Sequence, residues 1–187
     1  MIQGIAILGL NGCGKSTLAH ALSKQTGYYE MDVEDYYFPE QRDSRRQALD
    51  IQESGSRTKN VQMDSLVNLP YSVSRTKSDV ETLLNKDIES HPYFILSGVT
   101  MNWGEAILSH IDIAFWIKAP LEERLKRIQA REKKRFGTRV LEGGDMFVQQ
   151  REFHKTVKMR NEKVVEDSVK KLHCPVIVLD IHINRSK

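Results

Sequence analysis

The sequence has few of the features that mark secreted, metal-centred or membrane-spanning proteins. Only two of its 187 residues are cysteines, Cys13 and Cys174, and they form neither a metal-binding spacing nor a disulfide framework. No apolar run approaches the length that spans a bilayer, and no basic region precedes the first apolar segment. The net charge of +3 is too small to indicate nucleic-acid binding. These absences predict a cytoplasmic protein without a membrane or nucleic-acid partner.

The length and the pattern of apolar segments predict a single α/β domain over residues 1–187, present as a monomer or homodimer. The segments IAIL, YYEM, YFIL, IDIAFWI and PVIVLDI alternate with stretches of helical periodicity. This alternation is typical of a parallel sheet covered by helices on both faces. One helix is expected after Ser78, with a capping box in SDVE, and another from Pro120 to about Gly137. A long helix or a helix pair precedes the last strand.

The segment GLNGCGKST matches the phosphate-binding loop pattern in every required position and lies between an apolar strand and a helix. Its glycines allow backbone N–H groups to converge on phosphate oxygens at the start of the helix. Lys15 is then expected to reach the outer phosphates and the Ser16 hydroxyl to bind Mg²⁺. The residues predicted to contact the nucleotide are Gly9, Asn11, Gly12, Cys13, Gly14, Lys15, Ser16 and Thr17.

Three classes of phosphate-loop protein compete: a kinase, a GTP-dependent switch, and a motor or regulatory ATPase. The guanine-reading pattern Asn-Lys-x-Asp has only a partial match in NKDIE, where Asp87 comes one place early inside a predicted helix. A motor ATPase normally ends a strand with an acidic pair, whereas YFILSG ends with Ser97 and Gly98. These two departures favour the kinase.

Two carboxylates follow the second predicted strand, in MDVEDYYFP. Asp32 and Asp35 lie at the carboxyl end of a strand next to the phosphate loop, where open parallel sheets bind ligands. We predict that Asp32 binds the metal and that Asp35 is the catalytic base and contacts the acceptor together with Tyr36. The alternative is an acidic turn exposed to solvent.

Arginines recur along the helix after Pro120. Arg127, Arg131 and Arg135 are four residues apart and share one helix face, and Arg139 follows shortly after. Arginine stabilises the charge of a transferring phosphoryl group, so we predict a catalytic role for Arg131 within a lid over residues 131–146. The alternative is a solvated basic face.

Residues 39–77 form a long polar stretch with weak periodicity, which indicates either a functional lid or a disordered segment. We favour a substrate-binding lid because acidic and aromatic residues flank it. Its arginines, Arg42, Arg45, Arg46, Arg57 and Arg75, suit a grip on phosphate or carboxylate. An anionic small-molecule acceptor is therefore predicted, bound by Arg75 and Arg139.

The segments GLNGCGKST, MDVEDYYFP, IDIAFWIKAPLEERLKRIQAR and CPVIVLD together resemble the nucleoside and nucleotide monophosphate kinase group of P-loop proteins. EDYYFP is similar to a segment of uridine and nicotinamide riboside kinases, MDVED to the paired aspartates of shikimate kinases, and RIQAR to the lid-entry helix of adenylate kinases. The resemblance implies a five-stranded sheet in the order 2-3-1-4-5. It also implies contact of Arg127 with adenine and of Arg131 with phosphates.

The motifs and the resemblance together predict an enzyme that uses ATP and Mg²⁺ to phosphorylate a small-molecule acceptor, such as a nucleoside, a nucleotide or a similar metabolite. Ser97 and Gly98 stand where related kinases often have an acidic residue followed by glycine, so Asp32 or Asp35 has to support the metal. The alternative function is a nucleotide-dependent regulatory ATPase that engages a protein or RNA partner.

Overall fold

The computed structural model describes residues 2–46 and 69–181 of the chain. The strands are β1 (Gly4–Leu8), β2 (Tyr29–Asp32), β3 (Phe94–Gly98), β4 (Ile113–Lys118) and β5 (Val176–Asp180). They pair in parallel in the order β2-β3-β1-β4-β5. The predicted fold class and strand order are therefore confirmed.

Helices connect successive strands, as parallel pairing requires. They are α1 (Lys15–Thr26), α2 (Val33–Tyr37), α3 (Lys77–Ser90), α4 (Glu105–Leu108), α5 (Leu121–Phe136), α6 (Phe147–Met159) and α7 (Lys163–Val169). Residues 42–46 are also helical, and 3₁₀ turns cover Pro39–Gln41 and Gly137–Val140. The stretch before β5 is thus a helix pair, and α5 lies between Pro120 and Gly137 as predicted.

Alternate side chains of β1 pack into two separate cores. Ala6 and Leu8 belong to a core built with α3 and α7, whereas Ile5 and Ile7 belong to a core built with α1. Ile7 is fully buried, and burying such a side chain contributes roughly 1.5–3 kcal/mol. Because successive residues of a strand point to opposite faces, helices cover both sides of the sheet.

The start of α3 differs from the expectation that SDVE forms a capping box at Ser78. The capping residue is Thr76, whose Oγ1 accepts a hydrogen bond from the Asp79 N–H at 3.2 Å, while Asp79 Oδ2 accepts one from the Thr76 N–H. The sequence contains two overlapping patterns with the spacing of a capping box. The earlier one begins the helix, so the prediction of a box at Ser78 is wrong by two residues.

The carboxyl ends of the strands meet at one edge of the sheet. The register places Leu8 of β1 beside Gly98 of β3, and Asp32 of β2 beside Ser97. In open parallel sheets, ligands bind outside this edge where the strand order reverses, which here is at β1. In the parts of the chain that the structure describes, no helix is long and apolar enough to cross a membrane.

Candidate active site

The predicted phosphate loop leads from β1 into α1 and has the backbone that such a loop requires. Gly14 precedes α1 with φ +108°, and no side chain caps the helix, so its first N–H groups point outward. Gly12 has φ +82°, and a Cβ atom there would lie 2.5 Å from the Arg124 carbonyl oxygen. Only glycine satisfies both the conformation and the close approach at this position.

Arginines from distant parts of the chain donate hydrogen bonds to the loop. Arg124 is buried and donates to the Asn11 carbonyl, and Arg127 donates to the Cys13 carbonyl at 3.3 Å. Arg160, which follows α6, donates to the Asn11 side-chain oxygen at 2.8 Å. The sequence carries no signal for Arg160 because the contact spans 149 residues. These bonds fix the loop against α5.

Two further side chains of the loop make hydrogen bonds, Ser16 with β2 and Lys15 within the loop itself. Ser16 Oγ donates to Asp32 Oδ2 at 2.6 Å, and Lys15 Nζ donates to the Leu10 carbonyl at 3.3 Å. Burial alone would raise the pKa of Asp32, but Arg45, the Ser16 hydroxyl, the Glu34 N–H and Lys15 together hold that pKa below its usual value. Asp32 is therefore a carboxylate at neutral pH.

The donor set at this point suits Mg²⁺. Ser16 and Asp32 offer a hydroxyl and a carboxylate oxygen, and Mg²⁺ binds through one or two carboxylates plus substrate phosphates. Within residues 2–46 and 69–181 there is no cluster of three or more His, Cys, Asp or Glu side chains that could hold a metal alone. A metal in this site would thus depend on the phosphates of a nucleotide.

A cleft of about 1160 Å³ opens in front of the loop. It exceeds the roughly 300–1,000 Å³ of most single-ligand sites, so it has room for a nucleotide and a second molecule. Eight cationic and three acidic side chains line it among the described residues. The cations are Lys15, Arg45, Lys77, Arg127, Arg131, Lys134, Arg135 and Arg160, and the acids are Asp32, Glu34 and Glu132. The cleft therefore attracts anions strongly.

The structure brings most of the predicted nucleotide-binding residues to this cleft. Those that line it are Asn11, Gly12, Gly14, Lys15, Ser16, Thr17 and Arg127, together with the predicted metal ligand Asp32 and the predicted catalytic residue Arg131. Gly9 and Cys13 lie underneath, where Cys13 is fully buried and a Cβ on Gly9 would meet its Sγ at 2.7 Å. These two residues shape the loop from below.

The other predicted acceptor residues lie elsewhere. Asp35, Tyr36 and Arg75 line a neighbouring cavity of about 190 Å³, which shares Asp32 with the cleft, and there the Tyr36 hydroxyl donates to Asp87 at 2.5 Å. Arg139 forms a two-pronged, exposed salt bridge with Asp145 and does not line the cleft. The helical turn of α2 causes the separation, because Glu34 and Asp35 are adjacent and point in different directions. The roles predicted for Asp35, Tyr36, Arg75 and Arg139 stay predictions.

Both described flanks of the polar stretch 39–77 pack at the cleft. Arg135 of α5 donates to Ser44 on one flank at 3.2 Å and to the Tyr71 hydroxyl on the other at 2.5 Å. Tyr71 has φ +64°, an unusual conformation for a residue other than glycine. Its ring packs edge-on against Phe38. Residues 47–68, which include the predicted Arg57, lie outside the described residues.

The raised pKa of Asp35 predicts that the stability of the protein depends on pH. Burial, partly offset by Arg45 and reinforced by the charge of Asp32, raises the pKa of Asp35 to about 6. The folded protein then holds this proton more tightly than the unfolded chain does. The contribution of protonated Asp35 to the free energy of unfolding is therefore complete below about pH 4 and is lost as the pH rises through about 6. The expected loss in the free energy of unfolding is of order 1–3 kcal/mol.

Urea unfolding at pH 4, 5, 6 and 7 measures this contribution in wild type and Asp35→Asn. As the pH rises, wild type should lose free energy of unfolding relative to Asp35→Asn, because the asparagine does not ionise. Asp43→Asn, at an exposed position on the same flank, is the control and should keep a constant difference from wild type. Parallel curves for wild type and Asp35→Asn would contradict the raised pKa.

A protein family and a curated relative match this chain. The profile of the family described as AAA domain matches residues 5–146. YqaC of Bacillus subtilis (strain 168), described as an uncharacterized protein, is 28% identical over 188 residues, which cover 96% of this chain and 89% of YqaC.

Solved structures with a similar backbone include three kinases. A shikimate kinase from Acinetobacter baumannii, in complex with shikimate, is 14% identical with a TM-score of 0.46 over 97% of this chain and 86% of that one. A sugar kinase from Janibacter sp. HTCC2649 is 15% identical with a TM-score of 0.44, over 96% and 86% of the two chains. A gluconokinase from Sinorhizobium meliloti 1021 is 11% identical with a TM-score of 0.45, over 96% and 83%.

Proposed function

The chain belongs to the AAA domain family, and from the geometry of its cleft we propose that it binds ATP with Mg²⁺ and transfers the γ-phosphoryl group to a small anionic acceptor. The observation that carries the proposal is the direct contact between Ser16 of the loop and Asp32 of β2, at 2.6 Å. A hydroxyl and a carboxylate placed together beside a glycine-rich loop form the metal side of a phosphoryl-transfer site.

The charge of the cleft supports an anionic acceptor. Its described lining has five more cations than acids. A triphosphate neutralises only part of this excess, since the accompanying Mg²⁺ is itself positive. Arg135 contacts the neutral groups Tyr71, Ser44 and Gln41, so its charge is available to a ligand. An acceptor with a phosphate or carboxylate would complete the charge balance.

The residues of the site have distinct proposed roles. The loop amides and Lys15 hold the phosphates, and Ser16 with Asp32 holds Mg²⁺, which when bound would neutralise charge on the transferring group. Arg131 faces the cleft from α5 and would stabilise the same charge. Glu34 also lines the cleft, whereas Asp35 does not, and this favours Glu34 as the group that accepts the acceptor's proton.

The end of β3 favours transfer over hydrolysis. Ser97 is fully buried and stands beside Asp32, at the place where an ATPase would carry the carboxylate that primes water. Aromatic side chains line the cleft instead, among them Tyr37, Trp103 and Phe153, and they would exclude water from bound ligands. A site that excludes water protects the phosphoryl group for another acceptor.

A coupled assay of ADP formation tests the proposal with a panel of nucleosides, nucleotides, sugars and hydroxy acids, each supplied with ATP or GTP and Mg²⁺. We expect ADP release to depend on one class of anionic acceptor, and mass spectrometry should detect its phosphorylated form. Nucleotide loss at the same rate with every compound, and no phosphorylated product, would contradict the kinase and support the regulatory ATPase.

A further inference from the structure

Arg45 occupies the centre of the carboxylate group beside the loop. Its side chain is only 10% exposed, and each guanidinium nitrogen faces a different acid. Nη2 lies 2.6 Å from Asp32 Oδ2, Nη1 lies 2.5 Å from Glu34 Oε2, and Nε lies 3.2 Å from Asp35 Oδ1. No other described cation contacts all three carboxylates.

This arrangement already uses both oxygens of Asp32. Oδ2 accepts from Ser16 Oγ as well as from Arg45, and Oδ1 accepts from the Glu34 N–H at 3.0 Å. A divalent cation bound between Ser16 and Asp32 would lie within a few ångströms of the guanidinium. Two cations this close repel each other strongly in a largely buried site. Arg45 therefore has to leave Asp32 before a metal can bind there.

We propose that Arg45 is an internal counter-ion that keeps divalent metal out of the Ser16–Asp32 pair until a nucleotide arrives. The inference rests on the proposed function for the identity of the metal pair. A metal ion alone offers Arg45 no replacement for three carboxylates. A nucleotide offers both phosphate ligands for the metal and new anionic partners for the guanidinium. Metal and nucleotide should therefore bind with strong mutual enhancement.

The position of Arg45 also ties the metal site to the flank of the polar stretch. Arg45 lies in the helical residues 42–46, and Ser44 of the same turn accepts from Arg135 of α5. Residues 42–46 are held by the ion pairs of Arg45 and by the hydrogen bond between Ser44 and Arg135. Release of Arg45 from the carboxylates removes the ion pairs. Loading of the metal thus changes how residues 42–46 are held at the cleft.

The test measures Mn²⁺ binding by electron paramagnetic resonance in the full chain without nucleotide. Arg45→Gln should bind Mn²⁺ at least about tenfold more tightly than wild type, because no ion pair between Arg45 and Asp32 has to break before the metal binds. Arg46→Gln is the matched control. Arg46 approaches Asp35 at 3.9 Å but does not contact Asp32 in the structure, so its loss should change the affinity by less than about threefold.

Two outcomes would overturn the inference. One is equal Mn²⁺ affinity in wild type and Arg45→Gln. The other is the same gain in Arg46→Gln, which would show that the net charge, and not the position of Arg45, sets the affinity. Arg45→Lys provides a second variant if the neutral one fails to fold, as circular dichroism will show. Its single ammonium cannot reach three carboxylates at once, so an affinity between wild type and Arg45→Gln is expected.

Ser16→Ala separates this inference from the proposed function. The double variant Ser16→Ala with Arg45→Gln should lose the gained Mn²⁺ affinity, since one of the two metal ligands is gone. If Ser16→Ala has no effect on Mn²⁺ binding even with ATP present, the metal pair of the proposed function is wrong, and the inference fails with it. If Ser16→Ala weakens Mn²⁺ binding with ATP present but Arg45→Gln does not strengthen Mn²⁺ binding without nucleotide, the metal pair stands and only the counter-ion role fails.

Discussion

Replacing Lys15 with alanine should abolish ATP binding that isothermal titration calorimetry can detect and lower any phosphotransfer rate by about 10²–10³-fold. Lys15 is the loop cation expected to reach the outer phosphates, where it would stabilise charge throughout the transfer. Among the described residues, Lys15 has a single hydrogen bond, to the Leu10 carbonyl, so its removal should not unfold the protein.

Lys134→Ala is the matched control for Lys15→Ala. Lys134 also lines the cleft, but it is exposed and lies on α5, away from the glycine-rich loop. Its removal subtracts the same charge from the cleft, and ATP affinity should change by less than about fivefold. Unchanged ATP affinity in Lys15→Ala would overturn the assignment of the phosphate loop. Equal losses in both variants would show that total charge, not position, governs binding.

Glu34→Gln should lower kcat by about 10²–10⁴-fold, the range that a positioned general base supplies, whereas Asp35→Asn should lower it by less than about tenfold. Glu34 lines the cleft and its side chain is 35% exposed, so an acceptor hydroxyl can reach it. Asp35 is buried at the neighbouring cavity. Both changes remove a charge next to Arg45, which makes each variant a control for the other.

Steady-state kinetics with the acceptor found in the panel assay, together with calorimetry of ATP binding, will distinguish the two carboxylates. A loss confined to kcat in Glu34→Gln identifies a role in the reaction. If the large loss occurs in Asp35→Asn instead, the base is Asp35, as the sequence predicts. Such a result would also mean that the small cavity opens toward the cleft when ligands bind.

The conformation of the glycine-rich loop was predictable because it depends on local sequence. Gly12, Gly14, Lys15 and Ser16 lie within a single turn, and the neighbouring apolar strand and helix are visible in the pattern. The resemblance to P-loop proteins is confirmed by the family and by the order of the strands. Asp32 could also be anticipated, since the end of β2 has to meet the loop in a parallel sheet.

On the acceptor side, the sequence leaves the direction of each side chain open. Asp35 as the catalytic base stays a prediction; in the structure it lines the small cavity, because one residue along α2 changes the direction of a side chain by about 100°. Arg75, predicted to bind the acceptor, donates to the Tyr36 carbonyl at the small cavity. Arg45 looked like one of several loop arginines.

The sequence by itself determined the α/β fold, the phosphate loop and the pairing of that loop with a carboxylate, because each depends on short-range patterns and on the geometry of parallel strands. Only the tertiary structure decided which charges face the cleft and which face each other. Arg45, Arg135 and Arg160 act across 13 to 149 residues. Their partners follow from how α5, α6 and residues 42–46 pack around the sheet, and the energy of a buried charge depends on those partners.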